Sequence, residues 1–270
     1  MTPEAMAPAL GDLIRLAPVV AAPFIGSFLG LVVRRLPVGG RIVSGRSCCA
    51  ACGKTLSPVE LIPVISWLVQ GGKCRACRAA LGVFYPAIEL SAATIAVVAV
   101  LLTDGPASAW LGCGLGWTLL TLSWIDAETM LLPDVLTLPL VLAGLVSSIP
   151  GGSGAMLASG LGAVLGFGLI WTVASVYAVL AKRPGLGEGD LKLFAATGAW
   201  LGWQALPLVI FASSILGIIG ALVAMGLGKT MTRETRIPFG PFIAAATWLG
   251  FIVEHGNDDL SALVSGFVPF

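Results

Sequence analysis

Residues 187–193 have the sequence Gly-Glu-Gly-Asp-Leu-Lys-Leu, which places a carboxylate where a polar loop meets the start of an apolar segment. A charge at such a border is costly unless another group pairs with it or the protein uses it. The stretch therefore indicates the beginning of a membrane helix and a candidate functional residue, Asp190. Asp126, which follows Leu-Ser-Trp-Ile at the end of an earlier apolar segment, is the candidate partner.

The composition indicates a protein that lies in a lipid bilayer. Of its 270 residues, 57% are hydrophobic and 11% are charged, and the mean hydropathy is +0.98. Soluble domains carry roughly 25% charged residues, so the composition argues against a water-soluble globule. The net charge of +1 is too small to indicate nucleic-acid binding.

Eight apolar stretches predict about eight transmembrane helices, so the predicted fold class is an all-α polytopic membrane protein. A spanning helix needs about 17 to 25 residues, and the run at 190–203 is short enough to be tilted or only partly spanning. Glycines at 160, 162, 166 and 168, and at 217 and 220, suit close helix packing. The predicted helices cover residues 13–35, 85–103, 107–126, 134–149, 156–181, 190–203, 205–228 and 238–254.

Basic residues assign the two sides of the membrane. Arg34 and Arg35 follow the first apolar run, whereas a secretory signal carries its basic residues ahead of the run, so we expect a retained helix with the N-terminus outside the cytoplasm. The positive-inside rule then leaves Arg15 as the one basic residue on the outer side. The tail at 255–270 is expected outside as well. The predicted cytoplasmic segments are 36–84, 127–133, 182–189 and 229–237.

The first of these segments contains two C-x-x-C pairs, Cys49 with Cys52 and Cys74 with Cys77. Pairs at this separation predict a four-cysteine zinc site, in which the metal closes the loop between two tight turns. A reducing cytoplasm favours thiolates over disulfides; redox chemistry and unligated thiols are the alternatives. Cys48 can replace Cys49 as a ligand with C-x3-C spacing. Four protein ligands leave no open position for water, so the predicted zinc is structural.

The carboxylates near the cytoplasmic border allow structural and catalytic interpretations. Asp134 follows a proline and is typical of a helix cap, and Asp190 can also be a cap. Lys182, Arg183 or Lys192 can pair with a carboxylate. Alternatively, two aspartates brought close cannot both ionise easily, so Asp126 and Asp190 would share a proton. The charged member would activate water and the protonated member would polarise a scissile carbonyl.

Several further motifs follow the same order along the chain. They are Phe-Ile-Gly-Ser-Phe-Leu at 24–29 with Arg-Leu-Pro at 35–37, the two C-x-x-C pairs with Pro63 and Ser66-Trp67 between them, Tyr85-Pro86 with Glu89, Ile125-Asp126, Leu-Pro-Asp at 132–134 with Leu136-Thr137, the stretch at 187–193, and Pro-Phe-Gly-Pro at 238–241. Together they resemble the type IV prepilin peptidases, bifunctional members of the GxGD aspartic protease group.

The resemblance implies that the chain cleaves a basic leader from prepilins or pseudopilins after a glycine, at the cytoplasmic face of the bacterial inner membrane. It further implies N-methylation of the new N-terminal residue from S-adenosylmethionine. Catalytic roles carry over to Asp126 and Asp190. The zinc-ligand role carries over to the four cysteines of the two pairs. The methyl-donor site is not located, and Glu89 is a weak candidate for it.

The resemblance also implies that methylation and proteolysis belong to different regions of the chain. Residues 13–106, with the four-cysteine domain at about 36–84, are linked to methylation; 107–254 form the peptidase domain, and 255–270 the external tail. Gly30 and Ala50 depart from the usual asparagine and proline of the family. The alternatives are a related GxGD peptidase without methylation, and a transporter with an aspartate proton relay.

Glu128 and Glu188 lie two residues from the proposed catalytic aspartates. We expect these two glutamates to attract the basic leader of the substrate, since opposite charges steer encounter. Solvated loop charges are the alternative interpretation.

Overall fold

The computed structural model describes residues 3–42, 45–182, 185, 187–228, 235 and 237–257, with the backbone alone for 3–10 and 12. Within these residues the regular secondary structure is helical, with two isolated β-bridges. The helices are α1 (Pro3–Arg35), α2 (Ile65–Val69), α3 (Phe84–Leu102), α4 (Gly105–Thr129), α5 (Asp134–Ser147), α6 (Gly152–Ala181), α7 (Glu188–Leu201), α8 (Leu206–Gly226) and α9 (Gly240–Glu254), with 3₁₀ turns at Pro58–Leu61 and Ile149–Gly151.

Each of the eight predicted helices is present, and the short α2 is an addition to them. The first helix begins well before residue 13, and α4 continues three residues past Asp126 to Thr129. By length and composition, four stretches can cross a membrane: Leu13–Arg35, Phe84–Leu102, Asp134–Ala181 and Leu206–Gly226. The third combines α5 and α6. Among the residues that the structure describes there are therefore eight long helices and four candidate spans.

The short helix α7 explains part of the difference between the number of long helices and the number of candidate spans. Its 14 residues extend about 21 Å at 1.5 Å per residue, less than the hydrocarbon core of about 30 Å. Nearly all its side chains from Asp190 to Leu201 are buried, so α7 is surrounded by other parts of the protein. Whether the run at 190–203 is tilted or only partly spanning stays a prediction.

The chain divides into two compact units after Thr121, within α4. In the first unit α1 packs against α3. A Cβ at Gly26 would lie 2.7 Å from Glu89 Cα, so a glycine is needed for this approach. At the other end of α3, Arg15 Nη2 donates to the carbonyls of Val100 and Thr103, both at 2.9 Å, which satisfies acceptors that a helix C-terminus leaves open.

In the second unit α7 packs against α5, α6 and α9. A Cβ at Gly162 would lie 2.1 Å from Gly198 O, and one at Gly166 would lie 2.3 Å from Phe194 O, so α6 and α7 touch backbone to backbone. Of the four α6 glycines expected to pack, these two do so, whereas a Cβ at Gly160 or Gly168 would meet nothing within 4 Å. The glycines predicted at 217 and 220 pack against phenylalanines of the α9 region.

Hydrogen bonds fix the positions of the helices around α7. Trp200 Nε1 donates to Leu140 O of α5 at 2.9 Å. The hydroxyls of Thr197 and Thr247 lie 2.7 Å apart and join α7 to α9.

Some predicted features lie outside the described residues: Arg183, Lys229, Arg233, Arg236 and the tail beyond Asn257.

Candidate active site and metal centre

Asp126 and Asp190 lie in the second unit, on α4 and α7. Asp126 is in the last turn of α4 and Asp190 is in the first turn of α7, and they are 5% and 9% exposed. Their carboxyl groups are close enough to interact electrostatically. The fold therefore brings the two predicted residues together in a buried position, and they are called the aspartate pair below.

Each member of the aspartate pair accepts a backbone hydrogen bond at the start of a helix. The Gly240 N–H, at the start of α9, donates to Asp126 Oδ2 at 2.9 Å. The Gly187 N–H donates to Asp190 Oδ2 at 3.3 Å, because Gly187 is the N-cap of α7. A helix N-terminus favours a carboxylate, so this geometry stabilises negative charge at both residues.

Gly240 is a residue whose role sequence reasoning missed. It belongs to the late motif Pro-Phe-Gly-Pro, which the sequence analysis identified without assigning a function. A Cβ at Gly240 would lie 2.7 Å from Asp126 Oδ2. Only glycine therefore allows the backbone N–H of α9 to approach this carboxylate.

The two glycines of the Gly-Glu-Gly-Asp stretch have different environments. A Cβ at Gly189 would lie 2.6 Å from Leu132 Cβ, so this glycine packs against the segment that leads into α5. At Gly187 the nearest atom to a Cβ is Asp190 Oδ2 at 3.6 Å, an ordinary contact. Gly189 is thus required for packing within the chain.

Asp134 and Lys192 form a separate ion pair. The predicted cap role of Asp134 is wrong in detail, because the N-cap of α5 is Pro133 and Asp134 is the first helical residue. Lys192, which the sequence left as a possible partner of a candidate catalytic aspartate, pairs with Asp134. Glu128 and Glu188 are both exposed.

The four predicted metal ligands come together in the first unit. Cys49, Cys52, Cys74 and Cys77, called the four-cysteine cluster below, have sulfurs that all lie within 4.8 Å of one another. Cys49 Sγ and Cys77 Sγ are 3.9 Å apart. Thiolates around a tetrahedral zinc at about 2.3 Å lie roughly 3.8 Å apart, so the donor set fits a metal. Cys48 is exposed and lies outside the cluster.

The two C-x-x-C turns are copies of one hairpin. In both, the first cysteine N–H donates to the carbonyl five residues later, at 2.9 Å, and its carbonyl accepts from the N–H four residues later. An isolated bridge closes each hairpin, Cys48 with Thr55 and Lys73 with Ala80. The left-handed position of each turn is Gly53 (φ 70°) in the first and Arg78 (φ 60°) in the second. The sequence spacing predicted that the four cysteines would meet, which the structure confirms, but it did not predict this structural repeat.

The hairpin geometry also favours deprotonation of the Cys74 thiol. The backbone N–H groups of Cys77 and Ala76 lower the pKa of the Cys74 thiol to about 6. A metal binds the thiolate and not the thiol. Cys74 therefore offers the deprotonated ligand near neutral pH.

Glu89 lies at the start of α3 and is 5% exposed. Its Oε2 accepts the Val64 N–H at 2.7 Å. Val64 has a φ of 58°, a conformation that costs energy for a β-branched residue. Glu89 therefore holds the segment between the two hairpins in place.

Comparisons with known proteins place this architecture in a family. Residues 20–103 match the profile of the bacterial peptidase A24 N-terminal domain, and residues 113–222 match that of the type IV leader peptidase family. No solved structure gives a significant match.

Three relatives are described as "Prepilin leader peptidase/N-methyltransferase". The one from Aeromonas salmonicida (strain A449) is 38% identical over 260 residues, covering 84% of this chain and 87% of the relative. The one from Burkholderia pseudomallei (strain 1026b) is 37% identical, covering 84% and 81%, and the one from Pseudomonas aeruginosa is 35% identical, covering 88% and 89%. The chain belongs to the type IV leader peptidase family.

Proposed function

We propose that this protein is a membrane aspartic endopeptidase that removes the basic leader from type IV prepilins or pseudopilins and then N-methylates the new N-terminal residue. The observation that carries the peptidase assignment is the buried aspartate pair in the second unit. Family membership and the relatives' names support both activities.

The aspartate pair supplies the chemistry of peptide hydrolysis. Two adjacent carboxyl groups retain one proton between them, because both cannot ionise easily at close range. The ionised member takes a proton from water as it attacks the scissile carbonyl, and the protonated member polarises that carbonyl. The N–H groups of Gly240 and Gly187 hold one oxygen of each carboxylate in place, so the other oxygen of each serves the reaction.

Co-expression with a prepilin tests the paired mechanism. Asp126→Asn and Asp190→Asn each remove one member of the pair, and we expect each to lower the cleavage rate by at least about 100-fold, the scale of general acid–base catalysis. Asp134→Asn is the matched control, because Asp134 is exposed and paired with Lys192. Undiminished processing by either Asp126→Asn or Asp190→Asn would refute the mechanism; a transporter with a proton relay predicts that result.

The four-cysteine cluster is proposed to hold a structural zinc ion. The zinc would join the two hairpins and stabilise a loop domain too small to have its own core. S-adenosylmethionine is the proposed methyl donor, and the region around the cluster, about 13–106, is assigned to methylation, with 107–254 assigned to proteolysis. Labelled S-adenosylmethionine added with prepilin separates this from a peptidase without methylation, which would cleave but transfer no label.

The proposed location is the bacterial inner membrane, with the eight long helices crossing it or entering it and both termini outside the cytoplasm. The apolar candidate spans support a multi-pass arrangement. Arg34 and Arg35, at the end of α1, support a cytoplasmic position for the loop that follows. The active site would then lie near the cytoplasmic face, where a leader peptide arrives.

Glu128 and Glu188 are proposed to attract that basic leader. Both are exposed and each lies two residues from a member of the aspartate pair, so they can act on an approaching peptide without entering the chemistry. Replacing both by glutamine should raise KM more than it lowers kcat, and the effect should shrink as salt increases. An unchanged KM in the double variant would remove this assignment.

A further inference from the structure

The first unit contains a cavity of about 450 Å³, within the size range of small-ligand pockets (roughly 300–1,000 Å³). Its walls come from the C-terminal end of α1, the start of α3, the first cysteine hairpin, the segment between the hairpins, and Ala80 and Leu81 at the end of the second hairpin. No residue of the aspartate pair lines it. The cavity is therefore a candidate site for an activity other than proteolysis.

Two buried carboxylates give this cavity its chemical character. Glu60 and Glu89 both line it, and they are 8% and 5% exposed. Glu89 is occupied by the Val64 N–H and by the Ser27 side chain. Glu60 Oε2 accepts from both the N–H and the hydroxyl of Ser57, at 2.9 Å each.

The other oxygen of Glu60 has no such partner. Within the described part of the chain, Glu60 Oε1 is buried and makes no hydrogen bond, and its partner is Lys54 Nζ, which forms an ion pair with it at 3.5 Å. The Ser57 N–H and hydroxyl hold the pKa of the Glu60 carboxyl below its usual value, so it is ionised at neutral pH. Because the ion pair with Lys54 is long and supplies no hydrogen bond, this buried oxygen can accept one from a ligand hydroxyl or ammonium group.

Aromatic and cationic side chains complete the lining. The Trp67 ring is fixed, because its Nε1 donates to Gly82 O at 2.7 Å and Gly72 leaves room for it. Tyr85 lines the cavity beside Gly30, where a Cβ would lie 2.9 Å from the tyrosine ring. An asparagine at position 30 would collide with this ring, which accounts for the glycine here. Arg34 and Arg35 lie at the end of α1 and also line the cavity.

This combination fits one class of ligand better than others. An adenine ring can stack on an aromatic face, ribose hydroxyls suit a carboxylate acceptor, and an amino-acid carboxylate suits arginine. A sulfonium cation is favoured where two carboxylates lie nearby. Nucleotides and anionic lipid headgroups would place a phosphate near the same two carboxylates. Charge repulsion therefore disfavours these ligands.

We propose that this cavity binds S-adenosylmethionine, with the ribose hydroxyls donating to Glu60 Oε1, the adenine against Trp67 or Tyr85, and the carboxylate toward Arg34 and Arg35. The inference rests on the proposed methyltransferase function. When bound, the ligand supplies a methyl group: the lone pair of the substrate amine forms the N–C bond, the C–S electrons remain on sulfur, and the amine proton passes to water. The first cysteine hairpin forms one wall, so the metal and the methyl-donor site are structurally coupled.

Equilibrium binding of labelled S-adenosylmethionine to the purified full chain, without prepilin, tests the assignment. Glu60→Gln should weaken binding by roughly 10- to 100-fold, as expected for loss of a hydrogen bond to a charged group. Ala80→Trp, which fills the cavity from an exposed lining residue, should abolish binding. Asp104→Asn removes an exposed charge from the same unit and should bind as wild type. ADP should not compete.

The possible results distinguish an incorrect binding-site assignment from an incorrect methyltransferase assignment. If wild type binds and both variants bind equally well, or if ADP competes as strongly as unlabelled donor, the assignment is wrong. If wild type neither binds the donor nor labels cleaved prepilin, the methyltransferase function itself fails. Prepilin cleavage and bound metal are measured in each variant, and a variant that has lost both is unfolded. The decision then rests on the other variant.

Discussion

The four-cysteine cluster and the aspartate pair differ in the sequence distance over which each is assembled. Each half of the cluster is a hairpin whose hydrogen bonds join residues a few positions apart. The aspartate pair needs α4, α7 and α9, and the hydrogen bond from Gly240 to Asp126 spans 114 residues. A local site depends on turn chemistry, whereas a dispersed site depends on helix packing. Changes to the glycines packed between α6 and α7 should therefore affect only the aspartate pair.

The largest expected effect comes from the contact between α6 and α7. A Cβ at Gly198 would lie 2.0 Å from Gly162 O, where neither backbone can move freely. We expect Gly198→Ala to destabilise the second unit by about 3 kcal/mol, the upper part of the range for overpacking, and to abolish prepilin cleavage. Thermal unfolding and a cleavage assay check this.

Gly168→Ala in α6 is the matched control, because a Cβ there would meet nothing within 4 Å. It should keep wild-type cleavage. If Gly198→Ala also kept the wild-type unfolding temperature and cleavage rate, close approach of these helices would not be what assembles the pair.

The four-cysteine cluster should respond to a single ligand change. Cys74→Ser removes a buried thiol that belongs to the cluster. We expect the metal affinity to fall by more than about 100-fold, the upper limit for changes to outer-shell partners, because a direct ligand is lost. Methylation should fall by a larger factor than cleavage. Elemental analysis measures the metal, and Cys48→Ser, outside the cluster, should retain it. Equal zinc in the two variants would exclude the assigned ligand set.

A smaller effect is expected where α9 meets the aspartate pair. Gly240→Ala places a methyl group where Asp126 Oδ2 now lies, 2.7 Å from the Cβ position. Displacement of the carboxylate should lower kcat by about 10- to 100-fold with little change in KM. Gly226→Ala meets nothing within 4 Å and serves as the control. A wild-type kcat in Gly240→Ala would show that this hydrogen bond does not position Asp126.

The smallest effect compares the two hairpins directly. Arg78 occupies the left-handed position that Gly53 occupies in the other copy, and a non-glycine residue there costs about 1 kcal/mol. Arg78→Gly should therefore make the cluster more resistant to a chelator, and Gly53→Ala should make it less resistant. Arg75→Gly removes the same charge from an ordinary position of the same hairpin. If Arg75→Gly increases the resistance to the chelator as much as Arg78→Gly does, the loss of charge and not the backbone conformation is responsible for the increase.

The sequence determined much of the helical architecture and the candidate residues. Apolar length and glycine and proline breaks predicted the eight long helices, and C-x-x-C spacing predicted four sulfurs that the fold brings together. These signals are visible because they depend on neighbours along the chain. Carboxylates at the borders of apolar segments singled out Asp126 and Asp190 as candidates. The residues alone left Asp190 open between a helix cap and a catalytic group, and the resemblance to a family implied the catalytic role.

Other features were decided only by the tertiary structure. In the structure the Asp190 carboxylate accepts the N–H of Gly187, the N-cap of α7, and its catalytic role stays a prediction. The hydrogen bond from Gly240, the pairing of Lys192 with Asp134, and the buried oxygen of Glu60 each join segments or environments that local sequence does not specify. Chain composition determined which segments form helices. Close contacts between helix backbones decided which polar groups meet, because those contacts depend on atoms far apart in the chain.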